Sequence, residues 1–373
     1  MRPFFLSLIS FCLMYTIVKA QKVPVSDLQQ SKIELSEEAN SYILSVVDII
    51  ERDALHREEI DFDTLLYTIR FYADGAQTVE DTHQPIEKSL PLLRDHHSYF
   101  LTATEIKQSL GLQEKDIEKI KKGKAPNIEK SKIDSLEKTL NYATGAKLNG
   151  NIGYLNVPNF DNLYEEGMTM FADSLQNLIK QFDQQDVIGW IVDLQNNNGG
   201  NAAPMITGLG PLLDDQNGFY TVNQAGEVLS KVYYKDGGYY DLEADEGEVA
   251  PIVQSKVNYQ LKDQHLPIAI LTSFRTASSA EAVVANFAGQ ANVKIIGSKT
   301  NGLTSTNSFN FLKDNSVLNL TIGYYANRNY QVYKQGIAPD FEIEEDSAAG
   351  KNQLDDEVIS KAIDWIKTTE DSR

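Results

Sequence analysis

Ala39, Ile43, Val46, Val47, Ile50 and Leu55 recur at helical spacing, and Leu65, Leu66, Ile69, Phe71 and Tyr72 continue the pattern after a polar break. Residues 36–94 therefore predict helices. Residues 101–145 are polar and lysine-rich, contain Pro126, and predict short helices and a linker. The character changes near Gly150. Ile152–Val157 has a strand pattern, residues 164–183 predict a helix, and Val187–Leu194 is a continuous apolar run of the kind a strand buried on both faces shows. A helix follows from about Ala202, and residues 220–234 alternate around a turn as a hairpin does. Pro267–Ser273 is a second buried strand, Thr276–Gln290 a helix rich in alanine and valine, and Val293–Ser298 another strand. Residues 306–325 predict two strands joined at Asp314 and Asn315, and Leu354–Ile366 a closing amphipathic helix. Strands alternating with helices over 151–345 predict an α/β core. The division expected is a leader over 1–20, a helical region and linker over 21–145, and the core over 146–373.

Composition narrows the function. The formal net charge of -19 argues against nucleic acid and an anionic membrane surface as partners, since both require clustered lysine and arginine. Arg2, the apolar stretch Phe4–Val18 and the closing Val18-Lys19-Ala20 make residues 1–20 a candidate signal peptide, cut before Gln21. Export to a periplasmic or extracellular location is the expectation, with no membrane contact after cleavage. The only cysteine, Cys12, lies inside that stretch, so a mature chain would have no disulfide, no cysteine nucleophile and no thiolate metal site.

Three segments carry candidate chemistry. In "ILTSFRTASSAEAVV" a buried strand ends, a turn of small residues follows, and a helix begins at about Ser278. A serine there is either a plain N-cap or a nucleophile whose oxyanion the helix N–H groups can hold. In "VDLQNNNGGNAAPM" a strand ends at Asp193 and runs into two glycines, which form either a tight turn or a loop whose N–H groups face a ligand. The spacing of a nucleotide-binding loop is absent. In "LLRDHHSYF" two of the five histidines, His96 and His97, fall at a helix end; a serine hydrolase needs such a base, although two surface histidines read the same way.

Taken in order, these segments resemble the C-terminal processing and tricorn-type serine peptidases, the S41 type. The family pattern D-x-H-S appears as Asp95–Ser98, G-Y-x-x-x-P as Gly153–Pro158, and D-L-x-x-N-x-G-G as Asp193–Gly200. The small-residue nucleophile turn is Ala277–Glu281, G-x-x-T-x-G is Gly297–Gly302, and G-I-x-P-D is Gly336–Asp340. The resemblance implies a crotonase-like (ClpP/crotonase-type) spiral core. It implies Ser278 as nucleophile, three residues before the glutamate, and an oxyanion hole from the backbone N–H of Ser279 and of Gly199 or Gly200. Ser279 then contributes only its backbone, so that truncating its side chain should be mild.

Departures from the pattern choose the branch. Leu303 stands where the processing proteases place their lysine base, and Lys299 lies earlier. The tricorn-type branch uses a histidine, and His97 fits it. Its glutamate before the last element has no counterpart in "NYQVYKQGIAPD", which leaves Tyr333 and Asn307 as candidates to orient the base. Between Phe100 and Gly150 only about fifty residues are available, too few for the PDZ domain of the processing proteases. The reading is an exported serine endopeptidase acting on peptides or unfolded proteins, with no cofactor and no metal. An ordinary imidazole base implies activity lost below about pH 6 to 7. The alternatives are a non-catalytic peptide- or ligand-binding homologue and an acyl-CoA enzyme of the same fold class.

Overall fold

The computed structural model describes residues 33–243, 249–343 and 351–373, with no side-chain description for 351–356; the candidate signal peptide lies outside the described residues. The chain divides into two compact units that interleave in sequence. Among the described residues, one comprises 33–124 together with 307–323, the other those of 125–306 and 324–373.

In the first unit, helices α1 (Glu37–Asp53), α2 (Phe62–Tyr72) and α3 (Glu80–Ser89) precede a short strand β1 (Tyr99–Leu101) and helices α4 (Ala103–Leu110) and α5 (Glu114–Ile120). Short polar side chains set the helix starts. Ser36, Asp61 and Thr102 accept from the backbone N–H of Ala39, Thr64 and Glu105, which supplies acceptors to donors that a helix start otherwise leaves unpaired. The helical spacing seen in the sequence becomes the buried face: Ala39, Ile43, Val46 and Ile50 pack with Leu65, Ile69, Ile86 and Leu93. Leu312, Leu318, Leu320 and Ile322 close the same core from far along the chain.

The second unit contains α6 (Ile133–Thr139), β2 (Thr144–Leu148), β3 (Ile152–Asn156), α7 (Glu165–Asp183), β4 (Gly189–Asp193), α8 (Ala202–Leu209), β5 (Phe219–Val222), β6 (Val228–Lys235), β7 (Gly238–Glu243), β8 (Val253–Gln254), β9 (Ile268–Thr272), α9 (Ser279–Phe287) and β10 (Val293–Gly297). Strands β11 (Ser305–Phe311) and β12 (Val317–Ala326) carry the chain through residues of both units, and β13 (Val332–Tyr333), β14 (Phe341–Glu342) and α10 (Lys351–Glu370) complete it. Six strands form one sheet in the order β14-β10-β9-β4-β3-β2, parallel except for the antiparallel edge strand β2.

Both faces of this sheet are covered, and strict alternation assigns the side chains. Trp190, Val192, Ile268 and Ile270 join α7, α8 and α9, whereas Ile191, Ala269, Leu271 and Ile296 join Val358, Ala362 and Ile366 of α10. Gly153 stands opposite Trp190 in the neighbouring strand, and a Cβ there would come within 2.6 Å of the indole, so only glycine lets the ring lie flat on β3. The helix expected over Thr276–Gln290 is shorter, Ser279–Phe287, because the residues before it are bonded to a neighbouring loop.

Candidate active site

Parallel pairing of β4 and β9 brings the loops at their carboxyl ends side by side, which is where sites collect in α/β sheets. Four hydrogen bonds join the two loops. Ser273 Oγ donates to the Gln195 carbonyl at 2.5 Å and Thr276 Oγ1 to that of Leu194 at 2.9 Å. The Ala277 N–H donates to the Asn197 carbonyl at 3.1 Å, and Arg275 Nε to Asn196 Oδ1 at 3.0 Å. The turn leading to Ser278 is therefore built on the glycine loop rather than on the helix that follows. Asp193 has a structural part: its carboxylate accepts from the Tyr154 hydroxyl at 2.6 Å and the Gln195 N–H at 2.9 Å.

Ser278 occupies φ 53°, ψ -114°, a conformation that residues with a side chain rarely adopt. A strained residue on a sharp strand-to-helix turn is the way several hydrolase folds present a nucleophile. The strain is held by Glu281, whose carboxylate accepts from the Ser278 N–H at 2.8 Å. The same buried carboxylate accepts from Thr300 Oγ1 at 2.5 Å and the Gly302 N–H at 2.9 Å, and Thr300 Oγ1 in turn accepts from the Ile337 N–H at 2.8 Å. One carboxylate thus joins the nucleophile turn, Gly297–Gly302 and Gly336–Asp340. Burial pushes Glu281 up to about 7, against the hydrogen bonds from Thr300, Gly302, Ser278 and Leu303 that pull it down. Glu281→Gln puts an amide donor where donors already converge. We expect a loss of about 2–4 kcal/mol in denaturant unfolding, from buried groups left unpaired, and at least tenfold slower chemistry at Ser278.

The two glycines differ in what their N–H groups can do. The Gly199 N–H donates to Asn197 Oδ1 at 2.9 Å, while Asn197 Nδ2 donates to the Val157 and Pro158 carbonyls at 3.1 and 3.0 Å. The Gly199 carbonyl accepts from the Phe160 N–H at 3.4 Å. In a trans peptide N–H and C=O point oppositely, so the Gly200 N–H points away from Phe160. It has no hydrogen-bond partner among the described residues, and neither has the N–H of Ser279 in the first turn of α9. Gly200 has φ 106°, and a Cβ on it would run into the Phe160 carbonyl oxygen. The Ser279 hydroxyl donates to the Gly200 carbonyl at 2.6 Å.

His97 belongs to the first unit. Asp95 shapes the backbone around it, accepting from the His97 N–H at 3.0 Å, the Ser98 N–H at 2.7 Å and the Ser98 hydroxyl at 2.9 Å. The His97 carbonyl accepts from Asn307 Nδ2 at 3.3 Å and Asn319 Nδ2 at 3.2 Å. Asn307 therefore meets His97 at its backbone, and the Tyr333 hydroxyl is engaged with Asn327 Nδ2 at 2.8 Å. Burial lowers the His97 imidazole to about 4, which corrects the expectation of an ordinary imidazole titrating near neutrality. His96 is exposed. Lys299 is exposed too, whereas a lysine base must be desolvated to lose its proton, and the Leu303 side chain has no group to donate or accept a proton. No cluster of three metal-ligating side chains occurs among the described residues.

The sequence motifs thus contain Ser278, Ser279, Gly199, Gly200 and Glu281 within one unit, tied by short bonds. Asn197 and Thr300 were visible only as letters of the patterns Asp193–Gly200 and Gly297–Gly302; their side chains turn out to be the joints between loops.

Comparison with known proteins identifies the family. The chain is 31% identical over 225 residues to the nisin-resistance protein of Lactococcus lactis, covering 60% of this chain and 62% of that protein. It is 25% identical over 215 residues to the carboxy-terminal processing protease CtpA of Bacillus subtilis, covering 57% of this chain and 40% of that one. Among solved structures, a lipoprotein from Streptococcus agalactiae superposes with a TM-score of 0.65 at 21% identity, over 91% of this chain and 99% of the other, which shows a shared fold. The sequence model of peptidase family S41 matches residues 151–343, the stretch that holds Ser278, the glycine loop and the elements bound to Glu281, and the chain belongs to that family.

Proposed function

We propose that this chain is an exported serine endopeptidase with Ser278 as nucleophile and His97 as base, on a core of the crotonase-like type. Ser278 Oγ attacks the peptide carbonyl as His97 takes its proton, and His97 then gives that proton to the leaving amine. The negative oxygen of the tetrahedral intermediate accepts from the N–H groups of Gly200 and Ser279, Gly199 being occupied by Asn197. Water completes the cycle by hydrolysing the acyl-enzyme. The observation that carries the reading is a strained, buried serine together with two backbone donors, on Gly200 and Ser279, that have no partner among the described residues. The neutral state of a buried imidazole at physiological pH fits the role of base. A histidine base also fits the exposure of Lys299 and the apolar Leu303. A relative named for resistance to nisin makes nisin the first peptide to assay.

Reaction with a fluorophosphonate probe, followed by mass spectrometry of protein taken from outside the cytoplasm, tests the whole reading. The expected result is an N-terminus at Gln21 and an adduct on Ser278. A folded protein that takes up no probe would instead be a peptide-binding homologue, the reading that the missing lysine and glutamate favour.

A further inference from the structure

We infer that the side chain of Ser279 is a positioning group for the oxyanion hole, so that this residue serves the reaction with its hydroxyl as well as with its backbone. The inference deepens the reading of Ser278 as nucleophile and rests on it. The two N–H donors stand on different elements, Gly200 on the loop after β4 and Ser279 on the first turn of α9. Their separation must be set before substrate arrives, because donors that reorganise during reaction stabilise the intermediate less.

The hydrogen bonds show what sets it. The peptide between Gly200 and Asn201 is held at both ends: its N–H donates to the Phe160 carbonyl at 2.5 Å, and its carbonyl accepts the Ser279 hydroxyl at 2.6 Å. The first bond fixes the loop to the segment after β3, and the second fixes it to the helix that carries the other donor. Ser279 and Gly200 are both buried, so water does not compete for that carbonyl. Without the hydroxyl, two consecutive glycines at φ 117° and 106° can pivot about the Phe160 contact. The ground state makes little use of the hole, so the cost falls on the chemical step rather than on binding.

Saturation kinetics of fluorophosphonate labelling test this without a known substrate, since the probe's phosphoryl oxygen enters the same hole. In Ser279→Ala we expect the limiting rate to fall about ten- to a hundredfold, with probe affinity within about threefold of wild type. Ser279→Thr, which keeps a hydroxyl, should stay within about threefold on both. Melting curves establish that each variant is folded. Should the alanine variant unfold, Ser279→Cys, of similar size and a weak donor, takes its place with the same expectation. A labelled wild type whose alanine variant reacts at an unchanged limiting rate overturns this inference alone. A wild type that never labels, or an adduct mapped to Ser279, overturns the assignment of Ser278 and this inference with it.

Discussion

Ser278→Ala should abolish hydrolysis and probe labelling while leaving a folded protein, and Ser278→Gly, equally inactive, should be the more stable of the two. The first half follows from the proposed role of Ser278 Oγ as nucleophile, at a position where alanine keeps the same Cβ. The second half follows from the backbone. At φ 53° any side chain is strained, and the conformation persists because the Ser278 N–H is held by Glu281 and the Ala277 N–H by Asn197. Glycine carries no Cβ penalty there and should gain about 1 kcal/mol over alanine. Paired thermal or urea melts read the difference. A glycine variant less stable than the alanine variant would mean that the strain is not stored at this residue.

On the proposed roles, His97→Ala should lose roughly as much activity as Ser278→Ala, on the order of ten-thousand-fold, because the effects of residues acting as one catalytic unit are not additive. His96→Ala, at an exposed site, should retain most of it. In the wild type the acid limb of kcat/KM should lie near pH 4 instead of 6.5, since burial keeps the imidazole unprotonated down to that value. Stability carries a matching signature. An unfolded imidazole binds its proton below about 6.5 and the folded one only near 4, so stability is lost as pH falls across that interval. Glu281 acts in the opposite sense: its folded value near 7 lies above the unfolded 4.5, so the folded chain binds more protons between the two and stability is lost as pH rises there. Unfolding free energies measured from pH 4 to 7 should therefore tilt one way in His97→Ala and the other way in Glu281→Gln. Identical slopes in the two variants would refute the burial of one or both groups.

Much of this site was legible because its chemistry is local in sequence. Trp190-Ile191-Val192 closing on Asp193 announces a strand buried on both faces, and the glycine pair after it announces a loop at that strand's end. The strand, turn and helix start around Ser278 are equally local. What stayed hidden depends on partners far away. Strand β1 has three residues and exists because Tyr99 pairs with Asn319, and nothing near Tyr99 signals that pairing. That the Gly199 N–H is occupied required knowing where Asn197 points its amide. The value near 4 for His97 required its burial, which a polar neighbourhood of Asp95, His96 and Ser98 does not suggest.

The interleaving of the two units has a consequence for synthesis. The helices that hold His97 emerge from the ribosome first, yet their core includes Leu312, Leu318, Leu320 and Ile322. Some two hundred residues separate Phe100 from that hairpin, and contacts of such separation form late. During elongation, and during any unfolded passage across a membrane, the amino-terminal helices lack the strands that seal them. The His97 carbonyl gains its partners Asn307 and Asn319 only after most of the second unit has been made. If His97 is the base proposed above, its backbone gains these partners only near the end of synthesis, a timing set by the order of the segments.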